Sequence, residues 1–292
     1  MNLENLNPHI QKLKVDHLYH IGLDSSMDLA SLFGSIKYVV FTLSNAEAGV
    51  VARQFAQIWY NITEENFTYQ PIYKTERFHM YKVGLTLIIS IGVGMPSLLI
   101  GMNEVTKILM HIKHFDVTFF KIGFAGGVGV NPGDVIISNN VVNGKFEAIY
   151  NSIECGETYT YPTVLDHELA NYLLYFNHSV GRKNVIIGMT LSTKDFYDEQ
   201  ARVNGALPIT YTQQECDAYL ARAYEFGIRA IDMESLVFAG FCNQLEIAAS
   251  IIGIAVVNRL DKDDIQITMS DQMGYLSNSA RILARYIKSI CY

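Results

Sequence analysis

Gln200 and Arg202 stand two residues apart in the segment STKDFYDEQARVNGA (192–206). In an extended segment such a pair shares one face. A carboxamide beside a guanidinium offers donors and an acceptor that suit a planar ring with carbonyl and N–H edges, such as a pyrimidine. The competing reading is a solvated loop. A second stretch, FKIGFAGGVGVNPGD (120–134), runs from apolar residues through glycines into a turn. Glycines after a strand let backbone N–H groups approach an anion or a sugar, and they equally build structural turns. No Gly-Lys-Ser/Thr follows, and the dinucleotide fingerprint with its downstream acid is missing. In a third stretch, IDMES (231–235), Asp232 and Glu234 are either end charges favoured by a helix dipole or, for Glu234, an acceptor for sugar hydroxyls with Met233 packed on the sugar.

His111 and His114 lie one turn apart without a third ligand, so no metal site is expected and a solvated helix face is. There is no Gly-x-Ser-x-Gly elbow. The four cysteines, Cys155, Cys216, Cys242 and Cys291, form no CxxC pair and read as reduced thiols.

These residues need a frame. Strand patterns fall at 37–43, 117–123, 134–138, 184–193 and 246–260, with a hairpin-like pair over 80–94. Helical spacing falls at 97–114, 214–227, 231–245 and 276–290, the last with Ser277 or Ser279 as cap. Unbroken apolar strands alternating with helices predict an α/β sheet covered on both faces.

The chain has 292 residues, half of them hydrophobic and 17% charged, with a net charge of −7. That composition predicts a well-cored globular protein and argues against a nucleic-acid groove or an anionic membrane as partner. The first twenty residues hold no apolar signal segment, and no run is long and apolar enough to span a bilayer. The expected location is the cytoplasm.

The blocks LNPHIQKLKVDHLYHIGL, RFHMYKVG, SIGVGMPS, IGFAGGVGVNPG, DFYDEQARVNGA, IDMESLVFA and VVNRL, in that order, resemble the animal uridine phosphorylases of the nucleoside phosphorylase family. The resemblance covers nearly the whole chain. It implies one domain over 1–292, a three-layer α/β/α sandwich with a mixed central sheet. It also implies a homodimer with shared active sites, no cofactor and no metal. The implied reaction is reversible phosphorolysis of uridine to uracil and ribose 1-phosphate. Uridine or a related nucleoside is then the expected ligand. By the same resemblance Gln200 and Arg202 hold uracil and stabilise the leaving base, and Phe196 stacks on it. Gly126 lets the backbone approach, and Val256, Val257 and Ile265 wall the pocket. Met233 and Glu234 hold ribose. His20 reaches the ribose 5′ hydroxyl, and Arg77 the phosphate, from the partner subunit.

The phosphate half departs from the family pattern. Where relatives carry Gly-Gly-Ser-x-x-Arg, this chain has Thr42 to Glu47, so the phosphate arginine is Glu47. Where they carry Arg-Ile-Gly-Thr, it has Lys121-Ile122-Gly123-Phe124. Arg to Lys loses the bidentate fork. Thr to Phe removes a hydroxyl. Arg to Glu reverses a charge; two unit charges ~4 Å apart interact by roughly 4 kcal/mol at an effective dielectric of about 20. Three functions stay open: a uridine phosphorylase with weak or lost phosphorolysis, a catalytically silent nucleoside-binding protein, and a pyrimidine nucleosidase in which Glu47 activates water. Against the last, related nucleosidases protonate adenine with an aspartate where this chain has Asn258.

Overall fold

The computed structural model describes residues 1–64, 68–182 and 184–291. After two short 3-10 turns (Leu3–Asn5 and Ile10–Lys12) come a two-residue ribbon, β1 (His17–Leu18) on β2 (Leu23–Asp24), and helix α1 (Leu29–Phe33). Then follow β3 (Tyr38–Thr42), α2 (Asn45–Tyr60), β4 (Tyr73–Lys74), β5 (His79–Val83), β6 (Thr86–Ser90), α3 (Met95–His111), β7 (Thr118–Gly127) and β8 (Val135–Val142). The antiparallel hairpin of β9 (Ile149–Glu154) and β10 (Glu157–Pro162) stands apart from the main sheet. The chain ends with α4 (His167–Ser179), β11 (Val185–Ser192), α5 (Gln213–Glu225), β12 (Ile228–Asp232), α6 (Ser235–Gln244), β13 (Ala248–Asn258) and α7 (Met269–Ile290).

The main sheet has nine strands in the order β12-β11-β8-β13-β7-β3-β6-β5-β4. It is mixed: β7 runs parallel to β3 and β13, while β13 meets β8 antiparallel and β5 meets β6 antiparallel. Alternation along each strand sends side chains to opposite faces. Val39, Phe41 and Phe119 join one apolar cluster with α1, α3 and α6; Val40, Phe120 and Ile122 join another with α2, α4 and α7. The expected α/β sheet, mixed and covered on both faces, is the observed one.

The same alternation orients the altered residues of β7. Phe124 follows Phe120 and Ile122 on the side of α2 and α7 and packs against their cluster. Lys121 turns the other way, to the start of α6.

Three local readings need correction. Residues 231–245 are not one helix: Ile231 and Asp232 end β12, and α6 begins at Ser235. The final helix starts at Met269, well before the apolar stripe, and neither Ser277 nor Ser279 caps it. Thr268 does, in a capping box with Asp271, while the Ser279 hydroxyl donates to the Tyr275 carbonyl. Nor is His111 on a solvated face: its Nε2 lies 2.9 Å from Oδ2 of the buried Asp16. Helices α2 and α4 and the β9–β10 hairpin carry no expectation above. Among the described residues no helix is long and apolar enough to cross a membrane.

Candidate functional site

A cavity of about 400 Å³ opens where β7, β12 and β13 end beside the 196–204 loop. Phe196, Gln200, Arg202, Gly126, Val256, Val257 and Ile265 all line it, together with Met233 and Glu234. The backbone explains why such scattered residues converge. The ladder between β13 and β7 slips by one residue between Ala255 and Val257. That bulge leaves Val256 outside the pairing, so two consecutive valines can serve one wall, which a regular strand forbids. Gly126 and Gly127 are still strand residues. A Cβ on Gly127 would sit 2.5 Å from Val130 Cγ2 and 2.8 Å from the Val257 carbonyl oxygen, so only glycine fits beside the bulge. The turn that follows is internally tied: Asn258 Oδ1 accepts from Gly129 N at 2.9 Å, and Asp134 Oδ2 accepts from Asn131 N at 2.8 Å. Residues 124–126 therefore face the cavity, and 128–134 form a structural turn in which Asn258 is spent.

Gln200 and Arg202 come together, but not because their segment is extended. Gln200 closes a short 3-10 turn (Asp198–Gln200), and Ala201 takes a left-handed φ of 55°. A non-glycine residue rarely adopts that conformation. Here the contacts on either side impose it. Arg202 Nη1 donates to Gln200 Oε1 and to the Phe196 carbonyl, each at 2.6 Å. Its Nε and Nη2 grip the two oxygens of Asp263 at 2.6 and 2.9 Å. Its guanidinium carbon lies 3.8 Å from the centre of the Phe196 ring. Gln200 Nε2 donates to Thr193 Oγ1 at 3.0 Å. Four of the five guanidinium N–H groups and one of the two carboxamide N–H groups are thus used, which leaves one on each residue. Behind them, Arg259 donates to the Gln200 carbonyl at 2.9 Å. Burial, and next the charge of Arg202, pull the Arg259 pKa down to about 10. Asp263 and Arg259 were invisible as site residues in sequence; the one hint is that a buried guanidinium needs a carboxylate.

At the other end, Glu234 Oε1 accepts from Gly94 N at 2.7 Å. Lys121 Nζ lies 2.8 Å from Asp232 Oδ2 and 3.7 Å from Glu234 Oε2, all three groups being buried. Asp232 also accepts from the Glu234 and Ser235 amides and the Ser235 hydroxyl. It is a partner of Lys121 and a cap for α6, rather than a solvated end charge. Burial works to raise the Asp232 pKa, yet the Lys121 charge and hydrogen bonds hold it below the ordinary value. Burial pushes Glu234 up, against the pull of Lys121. Burial works to lower Lys121, but Asp232 and then Glu234 keep it above its ordinary value and charged.

Glu47 sits in the first turn of α2, capped by Ser44, and its carboxylate accepts from the Ser44 hydroxyl at 3.0 Å and Leu43 N at 3.3 Å. Burial raises its pKa. A carboxyl whose folded-state pKa exceeds its unfolded value destabilises the fold once it ionises, so the penalty is complete above the folded value and absent below the unfolded one. Glu47→Gln is expected to stabilise the protein at pH 7, and the gain should vanish below the ordinary glutamate value of 4.5. Urea denaturation at both pH values checks this; an equal effect at both would contradict it.

Of the positions compared with a phosphate site, Leu43 and Phe124 line the cavity, beside Val93. Thr42, Glu47 and Lys121 lie behind that lining. Two further residues are elsewhere in this chain: the His20 amide and Nδ1 bond Glu104 at 3.1 and 2.7 Å, and Arg77 Nη2 donates to Ser97 Oγ at 2.7 Å. Among the described residues no group of three His, Cys, Asp or Glu side chains could hold a metal ion.

The family model described as "Phosphorylase superfamily" matches residues 37–288. Uridine phosphorylase 1 of Mus musculus is 32% identical over 284 residues, covering 97% of this chain and 91% of the mouse protein. The inactive uridine phosphorylase B of Schistosoma mansoni is 30% identical, covering 97% of this chain and 95% of its own length. The crystal structure of Schistosoma mansoni uridine phosphorylase in complex with thymine superposes with a TM-score of 0.90 at 30% identity, covering 97% of this chain and 98% of that one. On these matches and on its fold, the chain belongs to the phosphorylase superfamily, among the uridine phosphorylases.

Proposed function

We propose that this protein binds a pyrimidine base or nucleoside in the cavity of Gln200 and Arg202, and that phosphorolysis by it is weak or lost. The observation that carries the reading is the state of Lys121. Its ammonium is engaged by Asp232 and Glu234, and the charge of Glu47 acts on it as well. With Glu47 and Glu234 both protonated, one cation and one carboxylate cancel. With both ionised, one cation faces three carboxylates. In neither state do these groups of one protomer give a positive place, so an inorganic phosphate anion would have Arg77 of the partner subunit as its one uncompensated cation in this reading. The apolar side chains of Leu43 and Phe124 stand at the cavity wall there.

The base end keeps its means of recognition: one free N–H on each of Gln200 and Arg202, apolar walls at Val256, Val257 and Ile265, and Met233 and Glu234 for a sugar. The thymine complex of the Schistosoma relative supports a pyrimidine as ligand. The reading includes a cytoplasmic homodimer in which His20 and Arg77 of one protomer serve the cavity of the other. The nucleosidase reading has one point in its favour, since a buried glutamate with a raised pKa suits a general base. It ranks behind because Glu47 does not line the cavity.

Isothermal titration separates these cases. Uracil or uridine should bind, and 10 mM phosphate, an amount on the order of ordinary working concentrations for so weak an anion site, should leave the affinity unchanged. Tighter uridine binding with phosphate would overturn the reading.

A further inference from the structure

We infer that Glu104 is a positioning residue for ligand recognition: it holds the His20 ring with its proton on Nδ1, which leaves Nε2 bare to accept from a sugar hydroxyl. The inference rests on the reading that His20 of one protomer serves the cavity of the other. Glu104 lies on α3 and is buried. Its Oε1 stands 2.7 Å from His20 Nδ1. The same carboxylate accepts from the His20 amide at 3.1 Å and from the Ile21 amide at 2.7 Å.

A buried carboxylate is costly unless donors meet it. Among the described residues Glu104 pairs with no lysine or arginine. Its donors come from His20 and Ile21 alone, so the carboxylate is spent on fixing this one corner of the chain. An ionised carboxylate only accepts, so the ring nitrogen that faces it must be the one that carries the proton. A carboxylate behind a histidine sets the tautomer and the ring orientation in the same way where the other nitrogen binds a metal. The His20 side chain keeps 40% of its surface exposed, and among the described residues its Nε2 has no hydrogen-bond partner. The ring is therefore anchored on one side and open on the other.

Helix α3 also holds the other residue that the reading gives to the neighbouring cavity. Arg77 Nη2 donates to Ser97 Oγ at 2.7 Å, and Ser97 and Glu104 lie two turns apart on α3. Thr75 ties the pair together: its hydroxyl donates to the His20 carbonyl at 3.0 Å and accepts from the Arg77 amide at 3.3 Å. His20 and Arg77, far apart in sequence, are thus mounted side by side on one helix. Such mounting before any ligand arrives lowers the ordering cost of binding.

Two readouts test this. Nitrogen NMR of histidine-labelled wild-type protein at about pH 8, with His20 assigned by its loss in His20→Ala, should show the proton on Nδ1. A proton on Nε2 would overturn the inference, whether or not the Glu104 variant folds. Isothermal titration then compares uridine with 5′-deoxyuridine, which lacks the hydroxyl in question. The wild type should prefer uridine about fivefold. His20→Ala and Glu104→Gln should each erase that preference, and the double variant should do no more than His20→Ala alone. Uracil, which has no sugar, should bind all of them alike. A preference that survives in Glu104→Gln would overturn the inference and leave His20 its role. No preference in the wild type, or one that survives in His20→Ala, would take His20 away from the sugar and the inference with it. A wild type that binds neither uracil nor uridine would sink the base reading and this inference together.

Discussion

Lys121→Met should lower folding stability by about 3–5 kcal/mol, the range seen when one partner of a buried ion pair is removed. The size follows from where the charge is left. Asp232 and Glu234 are both buried, and Lys121 is the cation that compensates them. Methionine fills much of the same volume, so the loss is electrostatic rather than a cavity effect. Two further results separate this cause from general disruption. The loss should shrink as pH falls, because protonated carboxyls no longer need a cation. Adding Asp232→Asn to Lys121→Met should recover part of it, since Asn can still accept from the Ser235 amide and hydroxyl. Urea denaturation measures all three. A loss under about 1 kcal/mol would mean that Lys121 remains free to hold a ligand, and the closed phosphate site would lose its support.

Arg202→Lys should weaken uracil binding about a hundredfold, or ~2.7 kcal/mol. Lysine keeps the charge, so a purely Coulombic role would predict little change. The guanidinium here does several things at once that a single ammonium cannot. It grips both oxygens of Asp263, orients the Gln200 carboxamide through Oε1, ties the Phe196 carbonyl and lies under the Phe196 ring. Its planar fork has a donor for each contact and one to spare, while an ammonium has three donors radiating from a point. Calorimetry on a variant with wild-type circular dichroism tests this. Unchanged affinity in Arg202→Lys would remove Arg202 from base recognition.

The frame was largely legible in the sequence because its strands are continuous apolar runs. KYVVFTL, VTFFKIG and IIGIAVV announce buried strands whatever the tertiary detail. The first two turns of α7 were not legible: it begins at Met269, its first seven residues include Ser270, Asp271, Gln272 and Gly274, and its start is fixed by the Thr268–Asp271 capping box. The pairing of Gln200 with Arg202 was anticipated from spacing, yet the geometry comes from a left-handed Ala201, a conformation no residue type advertises. The valine pair at 256 and 257 could be named through family resemblance, whereas the bulge that turns both to one cavity is a property of strand register. Lys121 shows the limit most clearly. In sequence it stands as an arginine reduced to a lysine, still a cation. Only with Asp232, 111 positions away, set 2.8 Å from its Nζ does it become an internal counter-ion.

The most direct test of the account is uracil release from uridine by the purified protein, measured with and without inorganic phosphate. If the phosphate place is closed as proposed, with Glu47 behind the cavity lining, release should be absent or very slow in both buffers while uridine still binds. Rapid release that requires phosphate would contradict it, because the anion would then be held although Asp232 and Glu234 engage Lys121.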